Sequence, residues 1–362
     1  MRVGYTTLFQ GNGNPEEDRQ VYADNLKLCD LVEPLGFDSL WCTEHHFTEY
    51  TMCPDPLQFL SYMAARTQHI DLGSGVVIMP WHDPVRVAGQ VAMLDLISGG
   101  RFIFGIGRGL GRIEFEGFGV PMDEARGRFL ESAKIVLKAL ETGVLEHDGE
   151  YFTVPKRDLR PRNTTSFQGK VYTAAVSPDS IKLQAEIGAG ILINPQKDWS
   201  DTADDMRTYR KQYREMRGEE APAPIVTGWM ICDKDGKKAK DMAQQYISQY
   251  YEMTLQHYEL GGRHFGDTSG YEYYRDLSSY IDNKGTSKII ENFIELQIYG
   301  TPDECFDRIM AIRDHVGNDG FNVVPFFGSL PYEFAEQQMR LFASEVMPRL
   351  KDVPDFDFSK ID

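Results

Sequence analysis

The chain has 362 residues, and 55 acidic against 38 basic side chains give it a formal net charge of −17. That balance excludes a broad nucleic-acid surface, which is built largely from Lys and Arg, and 41% hydrophobic with 12% aromatic residues excludes a mostly disordered chain. No run approaches the roughly 18 apolar residues of a membrane span, and Met1-Arg2-Val3-Gly4-Tyr5 lacks a signal-peptide pattern, so a cytoplasmic protein without membrane partners is expected.

Short β-branched or aromatic runs alternate with amphipathic stretches along the chain. A strand over residues 1–6, a helix over 18–35 and a strand over 37–43 form a first βαβ unit. A helix at 56–68, a strand at 70–79, a helix at 84–96 opened by Pro84, and a strand at 101–106 follow. Further on come helices at 123–141 and 181–187, strands at 170–175, 189–194 and 225–232, a helix at 301–316, a strand at 322–327 and a last helix at 332–347. Eight strands separated by helices predict a parallel sheet closed into a TIM barrel, as one domain over 1–362. The alternative, an open doubly wound sheet, lacks its fingerprint: Gly105-Ile106-Gly107-Arg108-Gly109-Leu110-Gly111 has no GxGxxG register. Residues 147–168, rich in Pro, Arg and Asn, read as a surface loop. The glycine- and tyrosine-rich stretch 261–300, inserted before the last barrel unit, reads as a mobile active-site lid.

In such a barrel the chemistry sits where strands end. The second strand runs into Trp41-Cys42-Thr43-Glu44-His45-His46-Phe47 and the third into Met79-Pro80-Trp81-His82. Glu44, His45, His46 and His82 could be weighed as metal ligands, but the HxH and HExxH spacings are absent, and no metal site is expected. Five cysteines, with no CxxC pair, predict reduced and mostly buried thiols. One inward histidine, His45, suits proton transfer at neutral pH. Ser177 and Ser180 at a helix start, with Arg108 and Arg126 nearby, suit an anion such as a phosphate. Ser177 and Ser180 are equally good N-cap residues.

The segments Leu40-Trp41-Cys42-Thr43-Glu44-His45-His46-Phe47, Gly99-Gly100-Arg101-Phe102-Ile103-Phe104-Gly105-Ile106-Gly107-Arg108-Gly109-Leu110 and Phe118-Gly119-Val120-Pro121-Met122-Asp123 resemble the bacterial luciferase α subunit and its flavin-dependent monooxygenase relatives. Gly300-Thr301-Pro302-Asp303-Glu304-Cys305 and the run from Met339 to Pro348 do so as well. The resemblance implies a TIM barrel, a homodimer or a heterodimer with a related chain packed through helices of the first half, and reduced FMN supplied by a separate flavin reductase. It further implies that oxygen adds at the flavin C4a carbon and that the peroxide attacks an aldehyde or other carbonyl substrate. By position, His45 matches the catalytic histidine, with Glu44 beside it as a second catalytic candidate. Arg108, Arg126, Ser177 and Ser180 match phosphate contacts, and Gly75 and Val76 match a cis peptide against the flavin ring; Val176 also falls at the cofactor. Other readings are a non-catalytic flavin-binding partner subunit, and a deazaflavin-dependent oxidoreductase on the same barrel. Where luciferase α subunits carry cysteine, tyrosine, leucine and glutamate, this chain has Gly107, Gly111, Thr43 and Val176. These smaller residues predict a roomier pocket for a bulkier carbonyl compound.

Overall fold

Parallel strands covered on both faces require near-continuous apolar runs, and the chain supplies them in order. In the computed structural model the strands are β1 (Arg2–Thr7), β2 (Ser39–Cys42), β3 (Asp71–Ser74), β4 (Val77–Ile78), β5 (Phe102–Gly107), β6 (Val144–Asp148), β7 (Thr153–Asp158), β8 (Val171–Ala174), β9 (Gly190–Ile193), β10 (Ile225–Cys232), β11 (Ile298–Gly300) and β12 (Gly320–Val324). The structure describes all residues except 12, 175–177, 263, 268–270, 272–273, 277, 279–280, 282–284 and 359–362. Parallel pairing runs β1, β2, β3, β5, β8, β9, β10, β12 and closes where Arg2 of β1 faces Gly320 of β12. The sheet is therefore a closed (β/α)8 barrel, as the alternation predicts, and not an open doubly wound sheet.

The surrounding helices include α1 (Asp18–Val32), α2 (Pro56–Ala64), α3 (Pro84–Ser98), α4 (Arg112–Phe118), α5 (Ala125–Thr142), α6 (Pro178–Ile187), α7 (Trp199–Arg217), α8 (Gly236–Met242) and α9 (Ser248–His257). Helices Thr286–Glu295, Pro302–Val316 and Tyr332–Glu345 follow. Their starts are chemically marked. Asp55 caps α2, Asp83 accepts from the N–H groups of Val85 and Arg86 at the head of α3, and Thr301 with Glu304 forms a capping box. Outward strand residues such as Val3, Tyr5, Phe104, Ile191, Ile231 and Val323 are fully buried in one core with Leu28, Leu60, Val91 and Met339 of the helices. Among the described residues no helix is long and apolar enough to cross a membrane.

Three parts depart from the sequence reading. Within 147–168, residues Thr153–Asp158 form β7, which pairs antiparallel with β6 as a hairpin outside the barrel. Pro155 masks this strand in the sequence, but a two-stranded ribbon has a free edge that tolerates it, and Glu131 holds the turn by accepting from the N–H groups of Glu150, Tyr151 and Phe152. Helices α4, α7, α8 and α9 were not expected. α7 is strongly charged, and its apolar signal is confined to Ala203, Met206, Tyr209 and Tyr213 on one face. At the end of the stretch 261–300, β11 pairs with Met230–Cys232 of β10, so this piece belongs to the barrel wall.

One close approach fixes the rim of the site. A Cβ added at Gly105 would lie 1.8 Å from the carbonyl oxygen of Ser74, while Ser74 Oγ and the Gly105 backbone exchange hydrogen bonds of 2.8 and 2.9 Å. Gly105→Ala is expected to destabilise the protein by about 2 kcal/mol or more, on the scale of overpacking against backbone. Urea unfolding checks this, and a stability indistinguishable from wild type contradicts it.

Candidate active site

A cavity of about 190 Å³ opens among the C-terminal ends of the barrel strands, the face on which barrel chemistry is built. Beyond β2 the chain leaves the sheet, and Glu44, His45 and His46 diverge. His45 Nδ1 lies 3.1 Å from Glu114 Oε1, and its Nε2 lies 3.3 Å from the hydroxyl of Tyr258. His46 turns instead to Glu44, at 3.0 Å, and meets the stacked rings of Trp81 and Phe118 edge to face.

Glu114 comes from the first turn of α4 and is fully buried. Its Oε1 also accepts the backbone N–H of His46 at 2.9 Å. Burial pushes its pKa up, yet the charge of His45, the contact from His257 and the hydrogen bond from His45 together bring it down to about 2. An ionised carboxylate only accepts, so the proton on neutral His45 sits on Nδ1. Its Nε2 is left as the acceptor facing the cavity. Tyr258 donates to that nitrogen, since burial pushes the phenol well above its ordinary value and keeps it protonated.

Glu44 is a second buried carboxylate, held by different donors. Its Oε1 takes His46 at 3.0 Å and His82 at 2.7 Å, and its Oε2 takes the backbone N–H of Ile78 at 2.8 Å. Burial opposes ionisation, but these donors lower its pKa below the ordinary carboxylate range. The same carboxylate raises His82, against the effect of burial. The carboxylate that engages His45 is thus Glu114, not its chain neighbour Glu44. Glu44 lines the cavity and fastens the backbone of β4 immediately after Gly75–Val76.

The Gly75–Val76 peptide is cis, and the Gly75 N–H just before it donates to the carbonyl of Cys42 at 2.7 Å. Gly75, Val76, Arg108, Arg126 and Ser180 all line the same cavity. Ser180 lies in the first turn of α6, where backbone N–H groups and the helix dipole favour an anion. Arg108 stacks over the ring of Tyr271 at 4.0 Å, and the Tyr271 hydroxyl donates to the carbonyl of Gly109 at 3.2 Å. Val176 and Ser177 lie outside the described residues. Gln184 Oε1, Gln196 Oε1, Thr43 Oγ1 and Trp229 Nε1 are buried without hydrogen-bond partners among the described residues, on side chains that line the cavity. A polar, planar ligand with donors and acceptors along its edge fits such a wall.

With this geometry in view, the comparisons with known proteins are decisive. A family model described as luciferase-like monooxygenase matches residues 1–319. The chain belongs to the luciferase-like monooxygenase family. It is 27% identical over 348 residues to an alkanal monooxygenase alpha chain from Photorhabdus luminescens, covering 92% of each chain. It is 31% identical over 196 residues to the oxygenase component of a flavin-dependent trigonelline monooxygenase from Acinetobacter baylyi, 54% of each. In three dimensions it superposes on the monooxygenase RslO1 from Streptomyces bottropensis with a TM-score of 0.81 and 25% identity, over 96% of this chain and 99% of that one.

Two of this luciferase-like chain's small residues do not enlarge the pocket as expected. A Cβ at Gly107 would lie 2.4 Å from Val76 Cγ2, so the space is already filled by the residue after the cis bond. A Cβ at Gly111 would lie 2.5 Å from Glu114 Oε2 and 3.3 Å from His257 Nε2. That glycine makes room for the buried carboxylate. Sequence reasoning missed Glu114, His257 and Tyr258 because the helices that carry them, or lead into them, were not recognised.

Because Glu114 ionises at a lower pH in the folded state than its ordinary 4.5, its contribution to stability is present above that value and is lost as pH falls toward about 2. Glu114→Gln is expected to lower the unfolding free energy near neutral pH by about 3 kcal/mol. The deficit should shrink through that acid window in denaturant titrations, and a pH-independent deficit contradicts the assignment.

Proposed function

We propose that the chain is the oxygenase component of a two-component system, taking reduced FMN from a separate flavin reductase and, with O2, oxidising an aldehyde or other carbonyl substrate. The observation that carries this reading is His45 Nε2, turned to the cavity by Glu114 and sharing it with Arg108, Arg126 and Ser180. When bound, the reduced flavin supplies the electrons that activate oxygen. Arg108 and Arg126 would form charge-assisted contacts to its phosphate, and Ser180 with the start of α6 would complete the cradle; Ser177 and Val176, which the family resemblance also assigns to the cofactor, lie outside the described residues. Gly75 and Val76 offer their peptide to the flat ring. His45 Nε2 accepts a proton from the reacting group and returns it, and Tyr258 completes the hydrogen bond in the resting site. Glu44 acts at one remove, by pinning Ile78 and orienting His46 and His82.

The stretch 261–300, up to the β11 strand that pairs with β10, acts as a lid in this reading. Among its described residues Phe265, Tyr271 and Tyr274 cluster with Leu260, and Leu110 packs against them. Such a cover over Arg108 keeps water from the reacting centre. A partner copy, of this chain or a related one, covers the exposed Tyr62 of α2 and Met93, Leu96 and Ile97 of α3, two helices that pack on each other.

Oxygen uptake with reduced FMN and a panel of straight and branched aldehydes tests the activity. Product formation by wild type is expected, with His45→Ala reducing turnover about 100-fold or more while flavin binding changes little. No affinity for reduced FMN, tight binding of a deazaflavin instead, or binding without turnover contradicts the proposal. In a second measurement, Arg108→Ala is expected to weaken reduced FMN about tenfold or more, and reduced riboflavin, which has no phosphate, much less. Equal weakening of both removes Arg108 from the phosphate site.

A further inference from the structure

Two buried polar atoms of the site, Glu114 Oε2 and His257 Nε2, have no hydrogen-bond partner among the described residues and lie 3.4 Å apart. His257 ends α9, far along the chain from α4. Its ring stacks on Tyr50 at 4.7 Å and meets His45 edge to face at 5.1 Å. Its Nδ1 lies 2.7 Å from Thr48 Oγ1. With the Thr48 hydroxyl donating to Nδ1, the ring proton of neutral His257 sits on Nε2, the nitrogen nearest the second oxygen of Glu114. Burial favours that neutral form by lowering the ring's pKa, although Glu114 pulls the other way.

The approach depends on residue 111. Any side chain there would enter the space between Glu114 Oε2 and His257 Nε2, and this is one of the positions where the chain departs from the luciferase pattern.

We propose that His257 is a positioning residue for His45: by donating to the second oxygen of Glu114, through the gap left by Gly111, it sets how strongly that carboxylate holds the proton on the catalytic imidazole. This rests on the reading of His45 as the proton carrier. Three groups face the anion: His45 Nδ1 and the His46 backbone N–H bond one of its oxygens, and His257 Nε2 lies 3.4 Å from the other. Removing the third concentrates the negative charge on the other two, and His45 then binds its proton more tightly. The remaining groups around the pair are Tyr50 and Thr48 on the segment after β2, Tyr258 against His45 Nε2, and Glu259, which Arg112 neutralises at 2.6 Å.

Histidine side-chain NMR on the ligand-free protein, with His45 assigned from His45→Gln, reads the effect directly. In His257→Leu the His45 midpoint is expected to rise by about one pH unit, a tenfold change in proton affinity. His257→Gln, which keeps an N–H donor toward Glu114, is expected to restore it. An unchanged or lowered midpoint in His257→Leu overturns the proposal, as does a rise that His257→Gln fails to reverse, which would mark a packing effect. No flavin, oxygen or substrate enters this measurement. Its failure leaves the monooxygenase reading standing, and absence of reduced-FMN turnover in wild type sinks that reading without touching the titration.

Discussion

A carboxylate sealed in a barrel mouth must either take up a proton or collect enough donors to remain charged. Glu114 remains charged, because His45, the His46 amide and His257 converge on it from two distant parts of the chain. Much of the site's chemistry follows from that one constraint. An anion at this place dictates which nitrogen of His45 carries the proton, turns the other nitrogen to the cavity, and leaves Tyr258 as its donor.

The second carboxylate, Glu44, does related work on the backbone. By gathering His46, His82 and the Ile78 amide it fixes the chain that carries the Gly75–Val76 peptide, while Gly105 lets that chain approach β5 closely. The barrel supplies rigidity, and the two acids convert it into an oriented base and a flat peptide wall. The arginines and the start of α6 lie on the same cavity, so one ligand with a ring at one end and a phosphate at the other can meet both.

The barrel was legible in the sequence because its signals are local. Apolar strand runs and Pro84 at a helix start each act within a few residues. The place of His45, Arg108, Arg126 and Gly75–Val76 around one cavity was also legible, through strand ends and family motifs. Glu114 was not. In Arg112-Ile113-Glu114-Phe115-Glu116 it reads as one of two surface acids, and only the entry of α4 into the mouth buries it. Gly107 and Gly111 read as lost bulk, whereas Val76 and the Glu114–His257 pair occupy the space. Contacts such as Gly107 with Val76 and Glu114 with His257 join different elements of the chain, and no sequence period records them.

The central claim is that a flavin lies across this mouth with its phosphate at Arg108, Arg126 and Ser180 and its ring on Gly75–Val76, its reactive edge beside His45. A crystal structure of the protein soaked with FMN tests it most directly. The account expects phosphate density at the two guanidinium groups and ring density over the cis peptide. Density for the nucleotide elsewhere, or a mouth that stays closed to FMN at saturating concentration, contradicts it.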